Sequence, residues 1–227
     1  MRFVVSCFVT VLCLGTTAAF AAAPEPSTDE QKTLYALGLS IGQSLGAFSL
    51  SDSELDFVKS GISDSVFKRT PKVELQTFGP KIQLLAQARA SVVAEAEKKA
   101  GAAFLAKAAA EHGAKKTESG AILTMIKEGK GATPKATDTV KVHYVGTLTD
   151  GTVFDSSVKR GEPATFGLNQ VIKCWTEGVQ LMKVGSKGKL VCPSTLAYGD
   201  KGAPNSPIKP GSTLVFEVEL LEIVAAK

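Results

Sequence analysis

The chain has 227 residues, carries 26 Lys and Arg against 22 Asp and Glu for a formal net charge of +4, and is 44% hydrophobic. The slight positive excess is spread without a long basic run, which argues against a dedicated nucleic-acid binder. The length suffices for one large or two modest domains with their own cores.

Met1-Arg2 is followed by the apolar run Phe3 to Leu14 and then by Ala18-Ala19-Phe20-Ala21-Ala22-Ala23 before Pro24. Residues 1–23 read as a secretory signal cleaved after Ala21 or Ala23, because the apolar core falls short of the ~20 residues that a membrane span needs. Cys7 follows Val4-Val5-Ser6 and Cys13 follows Thr10-Val11-Leu12, and neither context is the Leu and small residues of a lipid-attachment site. The expectation is an exported protein without a membrane span. The periplasm is its first address, with outer-membrane association or secretion as alternatives.

From Asp29 to about Gly113 the composition is rich in Ala, Gln, Lys, Glu and Leu, which predicts helix. Ser27 or Thr28 caps the first helix, and Asp29 and Glu30 complement its dipole. Leu34, Leu37, Ile41, Leu45 and Phe48 form one apolar stripe that must be covered. Beside it run Gly38, Gly42 and Gly46. Each costs roughly 1 kcal/mol relative to Ala in a helix, so the line asks for a close backbone approach, either within the chain or by a second copy.

A second helix is predicted from Ser53 to Phe67, with Leu55, Val58, Ile62 and Val66 inward, ending at Arg69-Thr70-Pro71. A third begins near Val73, carries Pro80 as a kink or as its true first turn, and runs through Ile82, Leu85, Val92, Val93 and Phe104 to His112-Gly113. Its portion from Arg89 to Ala110 is mostly Ala, Lys and Glu, too thin in large apolars for a core. It reads as an exposed stalk holding two bodies apart.

After Gly120 the period changes to that of strands, over Ile122 to Ile126, Val140 to Val145, Lys187 to Cys192 and Thr213 to Leu220. In the last, Leu214, Phe216, Val218 and Leu220 share one face, opposite Val215, Glu217 and Glu219, so one side of an antiparallel sheet is buried and the other wet. A short helix fits Trp175 to Met182. Cys174 and Cys192 are the cysteines outside the signal, and they read either as a disulfide in an oxidising compartment or as two buried thiols. His112 and His143 cannot build a metal site together, and strand alternation puts His143 on the surface.

One constellation carries the chemistry. Val142-His143-Tyr144-Val145-Gly146 is followed by Asp150-Gly151-Thr152-Val153-Phe154-Asp155-Ser156-Ser157, the turn Arg160-Gly161-Glu162-Pro163, Val171-Ile172-Lys173-Cys174-Trp175, Leu196-Ala197-Tyr198-Gly199 and the final Leu-Val-Phe-Glu-Val-Glu-Leu strand. Aromatics beside one acid and no nucleophile suit the binding of an apolar ring and a conformational change. Taken alone, the aromatics fit core positions and Asp155 fits a turn, while a lone Trp175 wants a partner for its indole N–H.

In this order the pieces resemble the FKBP-type peptidyl-prolyl cis-trans isomerases over about residues 120 to 224. The helical half, with Tyr35-Ala36-Leu37-Gly38, resembles the dimerisation domain of the macrophage infectivity potentiator type. The resemblance implies an α+β fold: a helical dimerisation domain at 24–80, a long connecting helix at 81–116, and at 117–227 an antiparallel sheet wrapped around a short helix. It implies a pocket floored by Trp175 and walled by Tyr144, Phe154, Val171, Ile172, Ile208 and Phe216, with Asp155 and Tyr198 as the polar edge that acts on the imide. It further implies proline-containing polypeptide clients, a homodimer through the N-terminal helices, inhibition by macrolides of the FK506 or rapamycin type, and no metal or other cofactor.

The departures are Cys174 where glycine is usual, Lys209 within the usual Ile-Pro-Pro, and Ala164 where an aromatic is common. Cys174 and Cys192 fall at unusual places for the family, which is a reason to pair them. A bridge there would tie the helix start to the sheet.

Overall fold

The computed structural model describes residues 25–224, so the expected signal at 1–23 lies outside the described residues. The chain divides into a first compact unit reaching Ile41 and a second that starts at Gly42.

In the first unit, α1 (Asp29–Ser44) starts from a reciprocal cap. The Gln31 N–H donates to Thr28 Oγ1 at 3.2 Å, while Gln31 Oε1 accepts from the Ser27 and Thr28 N–H groups at 2.9 and 3.2 Å. Leu34, Tyr35, Leu37, Leu39 and Ile41 are exposed in the single chain.

The second unit begins with a 3-10 turn, Gly46–Phe48, and with α2 (Asp52–Val66). Glu54 accepts from the Ser51 N–H at 2.9 Å and pairs with Arg89 of α3 (Leu75–Ala109), which also donates to the Phe48 carbonyl at 2.8 Å. Arg89 and the Ser51 groups hold the Glu54 carboxyl down at about 2. Leu55 and Val58 are half-buried, but Ile62 and Val66, expected inward, stand exposed, so the chain covers only half of this stripe. Pro80 lies in the second turn of α3, past the first turn that the sequence suggested.

Seven strands among the described residues form one antiparallel sheet. They are β1 (Lys115–Lys116), β2 (Ile122–Lys127), β3 (Thr139–Leu148), β4 (Val153–Ser156), β5 (Ala164–Gly167), β6 (Lys187–Cys192) and β7 (Leu214–Val224). The order is β1-β2-β6-β7-β3-β4, with β5 also on β3. A short α4 (Ser157–Arg160) follows β4, and α5 (Lys173–Val179) packs on the inner face, starting two residues before the predicted helix and ending before Met182. Gly178 lets α5 close on β6, since a Cβ there would stand 2.4 Å from Leu190 Cδ1.

The exposed stalk is corrected by the structure. Ala94, Gly101 and Ala108 of α3 recur every seven residues, a spacing that keeps them on one helix face, and all three are buried. Ala108 packs with Ile122 and Val191, flanked by Phe104, Leu105 and Val215. Strand alternation places these strand residues on the face opposite Leu123, Leu190 and Phe216 of the main core. Part of the face read as wet is thus covered by α3. The segment is poor in large apolars because it packs by backbone approach: a Cβ on Gly101 would stand 2.2 Å from Thr213 Oγ1. Lys189 and Glu111 add an ion pair at 2.6 Å at the helix end.

Gly101→Val should therefore destabilise the chain by about 1–3 kcal/mol despite the better helix propensity of Val, because overpacking of a closed contact outweighs a few tenths of propensity. Urea unfolding followed by circular dichroism measures it.

Candidate functional site

Strand alternation on β3 and β7 turns Tyr144 and Phe216 to the inner face, and the first turn of α5 brings Trp175 between them. Trp175 is 4% exposed. Its ring meets Tyr144, Phe166 and Phe216 at centroid distances of 5.3, 5.7 and 5.4 Å, each nearly perpendicular. Phe154 adds an edge contact to Phe216 at 5.5 Å. Each such pair contributes about 0.5–1.5 kcal/mol beyond burial, so the rings brace one another. Gly146, opposite Asp155 in the β3–β4 register, makes room for this, since a Cβ there would stand 2.6 Å from the Phe154 ring.

The resulting cavity of about 310 Å³ is lined by Tyr144, Phe154, Asp155, Phe166, Gln170, Val171, Ile172, Trp175, Tyr198 and Phe216. Trp175 Nε1 is buried without a hydrogen-bond partner among the described residues, so the partner expected for the indole is not found there.

One edge of the cavity is charged. Asp155 accepts a hydrogen bond from the Tyr144 hydroxyl and is ion-paired with Arg160, which also donates to Tyr144 Oη at 3.1 Å. Arg160 ends α4, whose Ser156 cap accepts from the Lys159 N–H at 3.1 Å. Burial pushes the Asp155 carboxyl up, but the Tyr144 hydroxyl and Arg160 outweigh it and hold the group below its ordinary value. Burial and the hydrogen bond to Asp155 push Tyr144 up, so it stays protonated. Ser157 Oγ accepts from the Tyr144 N–H at 2.8 Å and lies 3.1 Å from Nδ1 of His143, which is half-buried rather than on the surface. Tyr198 stands at the mouth, 43% exposed, between 3-10 turns Ser194–Leu196 and Gly199–Lys201.

The structure thus gathers Tyr144, Phe154, Asp155, Val171, Ile172, Trp175, Tyr198 and Phe216 around one cavity. Ile208 is not on that lining. It is 5% exposed in the core, and its carbonyl accepts from the Ala203 N–H at 3.0 Å. Phe166, Gln170 and Arg160 were missed. Phe166 follows Ala164 at strand spacing in β5, a segment to which the sequence reading assigned no element, and Arg160 was quoted only as part of the turn before it. Ala164 pairs with Val142 on β3, and Lys209 reaches Glu97 on α3 at 3.4 Å. Cys174 and Cys192 are disulfide-bonded, with Cα atoms 5.6 Å apart, within the ~4.4–6.8 Å that a bridge requires. The bridge fixes the start of α5 to the end of β6, one residue before Trp175.

Comparison with known proteins matches residues 130–221 to the family described as FKBP-type peptidyl-prolyl cis-trans isomerase, and residues 30–123 to the domain amino terminal to it. The FKBP-type isomerase FkpA of Aeromonas hydrophila is 47% identical over 88% of this chain and 78% of its own length. The outer membrane protein MIP of Legionella longbeachae is 35% identical over 95% of this chain and 94% of its own. The crystal structure of FkpA from Escherichia coli superposes with a TM-score of 0.67 at 38% identity, covering 88% of this chain and 99% of that one.

The charged edge has a measurable sign. The folded-state pKa of Asp155 lies below the unfolded value of ~3.9, so its ionised form stabilises the fold above that pH and the contribution is lost as pH falls through the depressed value. Carboxyl-carbon NMR should place its midpoint below 3.9, and Arg160→Ala should raise that midpoint toward the ordinary value.

Proposed function

The chain belongs to the FKBP-type peptidyl-prolyl cis-trans isomerases, and we propose that it accelerates rotation about X-Pro bonds of exported polypeptides in the aromatic cage around Trp175. The observation that carries this reading is a cavity lined by six aromatic residues with one ionised acid at its edge and no nucleophile in its lining. Rotation of the imide faces a barrier of roughly 18–20 kcal/mol because twisting it breaks conjugation. The planar ground state separates charge and is stabilised by water, whereas the twisted state has lost that separation. A dry cage therefore favours the twist, by differential binding and by removal of solvent.

In this reading the proline ring enters over Trp175, between Tyr144, Phe154, Val171, Ile172 and Phe216, with Ile208 backing the wall from the core. The Tyr198 hydroxyl, which has no hydrogen-bond partner among the described residues, donates to the carbonyl before the proline. Asp155, held ionised by Tyr144 and Arg160, shapes the field around the twisting bond. No covalent intermediate, metal or nucleotide enters the step. Macrolides of the FK506 or rapamycin type would occupy the same cage.

Residues 24–80 would serve as a dimerisation domain, 81–116 as the connection, helical as far as Ala109 and ending in β1, and 117–227 as the isomerase domain. Support for a homodimer comes from the uncovered Leu34, Tyr35 and Leu37 and from Gly38, Gly42 and Gly46, where a Cβ would meet no atom within 4 Å. The N-terminal signal pattern supports export, with the periplasm as the first address.

A second reading, a dimeric holdase, is favoured by the same exposed apolar residues, joined by Phe57, Leu75 and Phe78. The two are separable. Asp155→Ala and Tyr198→Phe should lower kcat/KM for a short proline peptide by about threefold to tenfold, the size of one lost hydrogen bond, while suppression of client aggregation persists. A protease-coupled assay with and without macrolide measures the first and light scattering the second; loss of both together sinks the division of roles. Leu37→Glu should convert the species measured by light scattering on a sizing column from dimer to monomer, with the peptide activity retained.

A further inference from the structure

We infer that the C-terminal half of α3 positions Tyr198, so that this helix acts on turnover as well as connecting the chain. The inference rests on the isomerase reading above and names a further element of that same site. Tyr198 is carried by a loop and not by a strand. With no hydrogen bond to another described residue at its hydroxyl, the place of that group at the cavity mouth depends on where the loop holds the Tyr198 backbone.

That backbone is a closed lobe. The Gly211 N–H donates to the Gly199 carbonyl at 2.9 Å, one residue past Tyr198, and the Ala203 N–H donates to the Ile208 carbonyl at 3.0 Å. Gly202 lies so close to the Ile208–Pro210 backbone that a Cβ on it would stand 2.5 Å from the Ile208 oxygen. Residues 199–211 are therefore held as one piece.

The lobe rests on α3 at successive points along one face of the helix. Gly211, at a φ of +79°, sits where a Cβ would be 2.4 Å from the Ala94 carbonyl oxygen. Lys98 Nζ donates to Asp200 at 2.8 Å, and Lys209 lies 3.4 Å from Glu97. One helical turn on, Gly101 closes against Thr213, just after the lobe. Contacts at Asp200 and at Lys209 to Thr213 thus hold both ends of the lobe. Small shifts of a positioned group cost turnover disproportionately, so a change confined to α3 should be read at Tyr198.

The test is a double-mutant cycle on the full chain between Lys98→Met and Tyr198→Phe, with kcat and KM measured on a short proline peptide and folding checked by circular dichroism. Lys98 and Asp200 are partly exposed, so these variants keep the fold and the effect is modest. Lys98→Met and Asp200→Asn should each lower kcat/KM by about threefold, mainly in kcat; Lys98→Arg should restore it; and Lys98→Met should have no further effect once the Tyr198 hydroxyl is gone. Wild-type activity in Lys98→Met, or the same loss with and without the hydroxyl, overturns the inference. A wild-type chain that leaves the peptide at its spontaneous rate sinks the isomerase reading instead.

Discussion

The edge-to-face packing of Trp175 is the constraint on which the rest of the site depends. A ring held at right angles to three others cannot be placed by one element alone. β3 supplies Tyr144, β5 supplies Phe166 and β7 supplies Phe216, so the β3–β7 and β3–β5 registers must both hold before the cage exists. The fourth element, α5, carries Trp175 itself and is pinned twice, by the Cys174–Cys192 bridge and by the closure of Gly178 on Leu190. A slip of one residue in any strand would send its ring to the opposite face.

The charged edge follows from the same geometry. Asp155 lies opposite Gly146 in the β3–β4 pair, so the room that lets Phe154 fold over the cage also brings the carboxylate to its rim. Burial alone would favour the protonated acid. The Tyr144 hydroxyl and the Arg160 guanidinium reverse that, and each is fixed for a local reason, Tyr144 by its strand and Arg160 by the Ser156-capped turn of α4. The carboxylate stays ionised at the rim through these two partners. That is the electrostatic setting of the proposed twist, an anionic edge beside a buried aromatic floor.

Much of this was legible because strands with one buried face show it at period two. Leu214, Phe216, Val218 and Leu220 alternate cleanly, and so do Val140, Val142 and Tyr144, so the rings on them could be assigned to one face from the sequence. The spaced motif around Phe154, Asp155, Trp175 and Tyr198 supplied the rest of the lining. Phe166 and Gln170 escaped because β5 is a four-residue strand behind the Arg160-Gly161-Glu162-Pro163 turn, too short for alternation to register. Arg160 escaped because its partners, Tyr144 and Asp155, are brought to it by the sheet and leave no mark at helix spacing. Ile208, expected on the wall by resemblance, shares the core cluster of Tyr144, Trp175 and Phe216, with its carbonyl bound in the Ala203 turn.

The two lines of small residues show why composition misled in one helix. Gly38, Gly42 and Gly46 recur every four residues and a Cβ on any of them would meet nothing within 4 Å beyond its own helix, while Ala94, Gly101 and Ala108 recur every seven and are buried. A shortage of large side chains was read as evidence of solvent exposure in the second case, yet small residues on one face are what a helix needs to lay its backbone on a sheet. The large apolars completing that contact, Ile122, Val191 and Val215, belong to the strands, so the amphipathic signal is divided between distant segments. The helix read as a spacer is thereby part of the body that carries the cage, reaching the Tyr198 lobe through Ala94 and Lys98. Whatever its N-terminal half binds, the C-terminal half shares a packed interface with the site.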